Sequence, residues 1–241
     1  MLTIAYDGTN LHGWQIQPGA VTVESVLNRE LSALLKEEIH VIGASRTDAG
    51  VHAEGAVCVF DTGSRIPGDK FSFALNQSLP PDIRVLSSKE VPDSFHPRRA
   101  KCRKTYRYSI WNDTFPLPTN RLYTHWVHGA LDLSAMRRAA DYLIGEHDFK
   151  SFCNVRSQAE STVRTIYDID IRKEGKQIDI LITGNGFLYN MIRIIAGTLI
   201  EIGQGKYAPE KTEAMLLAER REEAGQTAPA KGLCLMGYEW L

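Results

Sequence analysis

Cysteine is scarce and scattered: Cys58, Cys102, Cys153 and Cys234 are the only four among 241 residues, and no two form a C-x-x-C pair. That spacing argues against a disulfide framework and against a structural zinc site, and fits buried free thiols. Cofactor motifs are missing as well. Gly203-Gln204-Gly205-Lys206 lacks the G-x-x-x-x-G-K-[ST] pattern of a phosphate loop. Gly184-x-Gly186 lacks the third glycine and the strand-to-helix context of a dinucleotide site. There is no Gly-x-Ser-x-Gly elbow for a nucleophilic serine. His125 and His128 form H-x-x-H with no third ligand near them in sequence, so packing or surface exposure is the better reading than metal. No apolar run approaches the roughly 20 residues that cross a bilayer. Met1 leads straight into Leu2-Thr3-Ile4-Ala5-Tyr6, without the basic stretch of a signal peptide. The expectation is a soluble cytoplasmic protein with no cofactor and no metal, whose chemistry, if it has any, is done by side chains alone.

A net charge of −1 argues against indiscriminate polyanion binding, but a net value hides distribution. Between Arg98 and Arg107 the chain carries Arg98, Arg99, Lys101, Arg103, Lys104 and Arg107 without one acid. The last third compensates with Glu201, Glu210, Glu213, Glu219, Glu222 and Glu223. This polarisation suits a protein with one basic face.

The hydrophobic pattern predicts strands over 2–6, 39–44, 55–60 and 83–91, with helices over 22–37 and 70–79. Thr22 is placed to cap the first helix, whose Val23, Val26, Leu27, Leu31, Leu34 and Leu35 form one stripe. Pro80-Pro81 stops the second. The order is βαββαβ, the ferredoxin-like arrangement. The second half repeats it: strands over 105–111, 162–173, 177–183 and 233–240, with helices over 134–144, 187–202 and 209–220. The expected fold is therefore α+β, in two domains of similar plan, 1–95 and 96–241, with the boundary near 92–100.

Three segments could carry chemistry. The polar loop Ser45-Arg46-Thr47-Asp48-Ala49-Gly50-Val51-His52 lies between two apolar strands. It offers a carboxylate, a guanidinium, an imidazole and a glycine, though a plain turn with Asp48 bonding its own backbone has the same composition. The segment from Phe95 to Tyr108 interleaves bases with aromatics. Cations suit phosphate and rings stack on bases, while a charged edge strand guarding against aggregation reads alike. In a strand Tyr106 and Tyr108 share one face, with Arg103 and Arg107 on the other. Finally, Arg193 lies inside the apolar run 187–197. Buried there it needs a carboxylate partner, unless its stem carries the charge out to water.

Taken together these segments resemble the tRNA pseudouridine synthase A family over essentially the whole chain. The resemblance rests on Ala5-Tyr6-Asp7-Gly8-Thr9, His12-Gly13-Trp14-Gln15 and above all Arg46-Thr47-Asp48-Ala49-Gly50-Val51-His52-Ala53. It continues through Ser94-Phe95-His96, Thr105-Tyr106-Arg107-Tyr108, Gly145-Glu146-His147-Asp148-Phe149, Val163-Arg164-Thr165-Ile166, the 187–197 run and the closing Leu233 to Trp240. Ser45 stands where the family usually has glycine, and Pro97 where it often has alanine; neither change touches a chemical group.

The resemblance implies an isomerase that converts uridines of the tRNA anticodon stem and loop to pseudouridine without a cofactor. It implies a homodimer in which each tRNA engages both subunits, and two ferredoxin-like halves whose antiparallel sheets join around a central basic cleft. Asp48 becomes the catalytic carboxylate, Arg193 its partner, and Tyr106 the aromatic platform against uracil and a group that can receive the C5 proton. Arg46 would stabilise the flipped nucleotide or fill its place. Arg98, Arg99 and Arg103 are expected phosphate contacts. Two chemistries stay open to Asp48: attack on uracil C6, or proton removal from the ribose. The rival reading from the same residues is a non-catalytic RNA-binding protein of ferredoxin-like fold. A small-molecule enzyme on that fold is a second rival.

Overall fold

Alternation drives the first strand: in β1 (Leu2–Tyr6) Leu2, Ile4 and Tyr6 are buried and the residues between them are half-buried. The computed structural model describes every residue except Gln158. The chain divides into two units, one of Met1–Cys102 with Cys234–Leu241, the other of Arg103–Leu233.

In the first unit β1 is followed by α1 (Val23–Leu35), β2 (Ile42–Gly43), β3 (His52–Val59), α2 (Phe71–Leu75) and β4 (Ile83–Ser88). The sheet runs β4-β1-β3-β2 with antiparallel neighbours. Val26, Leu27 and Leu31 of α1 and Leu75 of α2 are buried, as are Ile4 and Ile83 of the sheet. Each such side chain contributes roughly 1.5–3 kcal/mol by leaving water. Thr22 caps α1 as predicted, in a reciprocal box with Ser25.

Two predicted elements are shorter than the pattern suggests, because side chains take the backbone groups that would have extended them. The Ile39 and Val41 amides donate to Ser32 Oγ (2.9 Å) and Asn28 Oδ1 (2.8 Å) of α1, leaving only two residues of β2 in ladder geometry. Asn76 ends α2 by bonding both backbone groups of Val85, at 2.8 and 2.9 Å.

The second unit holds β5 (Cys102–Asn112, entered from the last residue of the first unit), β6 (His125–Val127), α3 (Leu133–Asp141), β7 (Gly145–Asp148), β8 (Val163–Glu174), β9 (Gln177–Gly184), α4 (Met191–Gly203) and α5 (Lys211–Leu217). Its sheet runs β5-β9-β8-β7 with antiparallel pairing, and short β6 lies parallel to the end of β5. Helix α3, capped by Asp132, packs on α4 and β8. The Ile178, Ile180 and Ile182 side chains of β9 are fully buried, as is most of α4. The last strand, β10 (Leu233–Trp240), returns to the first unit and runs parallel to the start of β3.

The fold is thus mixed, with ten strands in mostly antiparallel sheets and five α-helices among the described residues. None of the described helices is long and apolar enough to cross a membrane. All four cysteines are free and buried, and burial pushes the Cys58 thiol up to about 12.

Candidate active site

The Asp48 loop is built by close approach of backbone. It leaves β2 and returns into β3, and the segment 7–14 lies against it. The Trp14 amide donates to the Thr47 carbonyl (3.1 Å), and the Gly50 amide to the Leu11 carbonyl (3.2 Å). Within the loop the Val51 amide closes onto the Asp48 carbonyl at 3.2 Å. The approach leaves no room for a Cβ at Gly13, which has φ +80°: one would stand 2.4 Å from the Thr47 carbonyl oxygen. Beneath the loop the Tyr6 and Thr47 hydroxyls share a buried hydrogen bond of 2.7 Å. The Gly8 amide lies 3.0 Å from His52 Nδ1, and the same nitrogen stands 3.2 Å from Asp7 Oδ1, so the imidazole ties the segment 7–14 to the start of β3. Asp48 is half-buried, flanked by buried Thr47 and by Ala49, which with Arg46 is exposed. The register of β1 on β3 shifts between Ile4 and Tyr6, so β3 bulges just after the loop.

The second unit holds the aromatic candidate and the arginine of the apolar run. Tyr106 is 7% exposed and its ring meets Phe187 edge-on, with centroids 5.3 Å apart. Tyr108, two residues on and on the same face, is fully buried and donates its hydroxyl to the Pro229 carbonyl at 2.9 Å. Burial raises that phenol well above its ordinary range. Arg107 lies on the other face and is half-buried. Arg193 stands one turn into α4, half-buried. Its Nε donates to the Ala228 carbonyl (2.8 Å) and its Nη1 to Asn190 Oδ1 (3.1 Å).

The basic segment divides its labour. Arg98 and Arg99 are exposed, and Arg98 Nε donates to the Gly43 carbonyl at 2.9 Å, which ties it to the end of β2. The exposed Arg103 guanidinium lies over the Tyr167 ring, 5.1 Å from its centroid. His125 and His128 face different neighbours. The His125 ring meets Tyr108 edge-on, and burial holds its pKa down. His128 Nδ1 lies 3.4 Å from the Thr114 carbonyl.

Sequence reasoning missed the groups that hold these side chains. Tyr6, Phe187 and the Ala228 carbonyl reach a candidate residue or its loop from far along the chain, and Asn190, though only three residues before Arg193, carries no sign in sequence that its side chain turns to the arginine.

Comparison with known proteins covers both units. A family model described as tRNA pseudouridine synthase matches residues 2–98 and 139–240. The tRNA pseudouridine synthase A of Ruminiclostridium cellulolyticum is 50% identical over 236 residues, 98% of this chain and 96% of that protein. The protein of the same name from Acetivibrio thermocellus is 48% identical over 235 residues, again 98% and 96%. That from Brevibacillus brevis is 48% identical over 232 residues, 96% and 95%. Nearly half the residues are shared along almost the full length, and the matched span includes the Asp48 loop and α4, so the chain belongs to the tRNA pseudouridine synthase family.

Proposed function

We propose that this chain isomerises uridine to pseudouridine in the anticodon stem and loop of tRNA, as a homodimer, with Asp48 as the catalytic carboxylate. The observation that carries the reading is the Asp48 loop itself. A solvent-facing turn does not need a neighbour without a Cβ, as at Gly13, and backbone hydrogen bonds to Leu11 and Trp14; a loop that must present one carboxylate reproducibly does. The rival of a bare RNA-binding module leaves that construction without a purpose.

The reaction breaks the uridine N1–C1′ bond, turns the uracil and forms C5–C1′; the C5 proton leaves and N1 gains one. Nothing is oxidised or hydrolysed, so side chains suffice. Asp48 acts ionised, and we pair it with Arg193, whose permanent charge favours the carboxylate form. Tyr106 is the platform for the turned base and the receiver of the C5 proton. Arg46, exposed beside Asp48, stabilises the flipped nucleotide or fills the gap it leaves. Arg98, Arg99 and Arg103 contact phosphates. We also read the two halves, 1–95 and 96–241, as copies of one ferredoxin-like plan. The order β4-β1-β3-β2 with its two helices supports this in the first half, and the succession β5, α3, β8, β9, α4, with short β6 and β7 inserted, supports it in the second.

Tritium release from tRNA carrying 5-³H-uridine tests the assignment. Asp48→Asn removes the charge and keeps the shape, so tRNA affinity should stay near normal while release falls to background. Release at the parent rate would refute the role of Asp48.

A further inference from the structure

Helix α4 begins in an unusual way. Asn190 is its N-cap, yet the Asn190 side chain accepts no hydrogen bond from the first-turn amides, the ordinary task of asparagine at that place. Its backbone is left-handed, with φ 63°, a conformation asparagine tolerates better than most residues. Its Oδ1 instead accepts a hydrogen bond from Arg193 Nη1, at 3.1 Å. On the other side Arg193 Nε donates to the Ala228 carbonyl (2.8 Å), while the Ala228 amide donates back to the Arg193 carbonyl (3.0 Å).

The segment that supplies this carbonyl, residues 225–229, is strapped onto the same helix. The Gly225 amide donates to Thr198 Oγ1 at 2.9 Å, and the Tyr108 hydroxyl donates to the Pro229 carbonyl at 2.9 Å. Gly197, one turn beyond Arg193 on that face, lets the strap lie down: a Cβ there would stand 1.8 Å from the Gln226 carbonyl oxygen.

From this arrangement we propose that Asn190 is a positioning residue for Arg193, gripping one end of the guanidinium while the strapped Ala228 carbonyl grips its Nε. The inference rests on the reading of Arg193 as the partner of Asp48 and adds what aims it. Arginine has many rotamers, and two acceptors on different edges of the fork leave its plane fixed before substrate arrives. Orientation settled in advance is what a reacting centre gains most from. A helix start that gives up its cap for this purpose breaks a local rule, as functional sites do.

Two substitutions separate the side chain from the backbone. Asn190→Gly keeps the left-handed conformation accessible and removes the acceptor; Asn190→Asp keeps an acceptor oxygen. Asn190→Gly should bind tRNA with the parent Kd and lose about 10- to 100-fold in single-turnover pseudouridine formation. Asn190→Asp should recover most of that rate. The Arg193 Nη–H resonances, the end that Asn190 holds, should exchange slowly with water in the parent and quickly in Asn190→Gly. A parent-like rate in Asn190→Gly, an Asn190→Asp no faster than it, or Arg193 Nη–H groups that exchange freely in the parent would each overturn the proposal. Failure of the underlying reading looks different: Asp48→Asn would then be active, with the Arg193 resonance still responding to Asn190.

Discussion

Two tyrosines on one face of β5 show how position divides labour between identical side chains. Tyr108 is sealed, its hydroxyl committed to the Pro229 carbonyl and its pKa pushed up by burial, so it is a strut and not a proton carrier. Tyr106 lies nearer the start of the strand, edge-on to Phe187 and just short of full burial. Removing each hydroxyl should therefore read out differently. Tyr106→Phe keeps the ring proposed to stack on uracil and removes the hydroxyl proposed to receive the C5 proton. It should lose roughly 10²-fold or more in rate with little change in tRNA Kd. Equal losses in rate and affinity would leave Tyr106 as a stacking group alone. The face the two tyrosines share was legible in the sequence, because strand alternation has a period of two. That one hydroxyl was committed and the other ring placed beside Phe187 was not, since both partners arrive from far along the chain.

At the scale of elements, the strongly periodic pieces matched their pattern: β1, α1, β9 and β10 lie within a residue or two of their predicted limits. The misses have physical causes. Asn28, Ser32 and Asn76 take backbone groups that hydrophobicity alone assigns to β2 and α2. The predicted helix from 187 begins at Met191, because Asn190 at φ 63° cannot continue a right-handed turn upstream. Strands β6 and β7, of three and four residues, are too short to display a period. The Asp48 loop itself could be singled out in sequence, but its mould could not. Two glycines of the 7–22 stretch test that mould. Gly13 and Gly19 both have positive φ, at +80° and +73°; only Gly13 faces the loop, and Gly19 has nothing within 4 Å. Gly19→Ala should cost about 1 kcal/mol of stability from backbone strain and leave turnover alone. Gly13→Ala carries the same strain and also drives a methyl into the Thr47 carbonyl, so turnover should fall by roughly 10²-fold as the loop shifts. Equal activities in the two folded variants would show that the loop does not depend on this contact.

For the molecule as a whole, the question is how a chain of net charge −1 holds a polyanion. Average charge gives no attraction, so binding must come from local cations that displace counterions from phosphates. The slope of log Kd against log salt counts those displacements, and the positions of the arginines assign them. Arg98 is already tied by its Nε to the Gly43 carbonyl, so replacing it disturbs the end of β2 as well as the charge. Arg99 is exposed and reports charge more cleanly, while Arg103 is exposed with its guanidinium over the Tyr167 ring. Removing one cation from a phosphate should lower the slope by about 0.7 to 0.9. Arg99→Gln with Arg103→Gln should then flatten it by about 1.5, raise Kd most at low salt, and leave the rate at saturating tRNA close to the parent. The last point separates anchoring from chemistry. A loss of saturated rate with an unchanged slope would mean that these arginines shape the site and do not hold the backbone of the RNA.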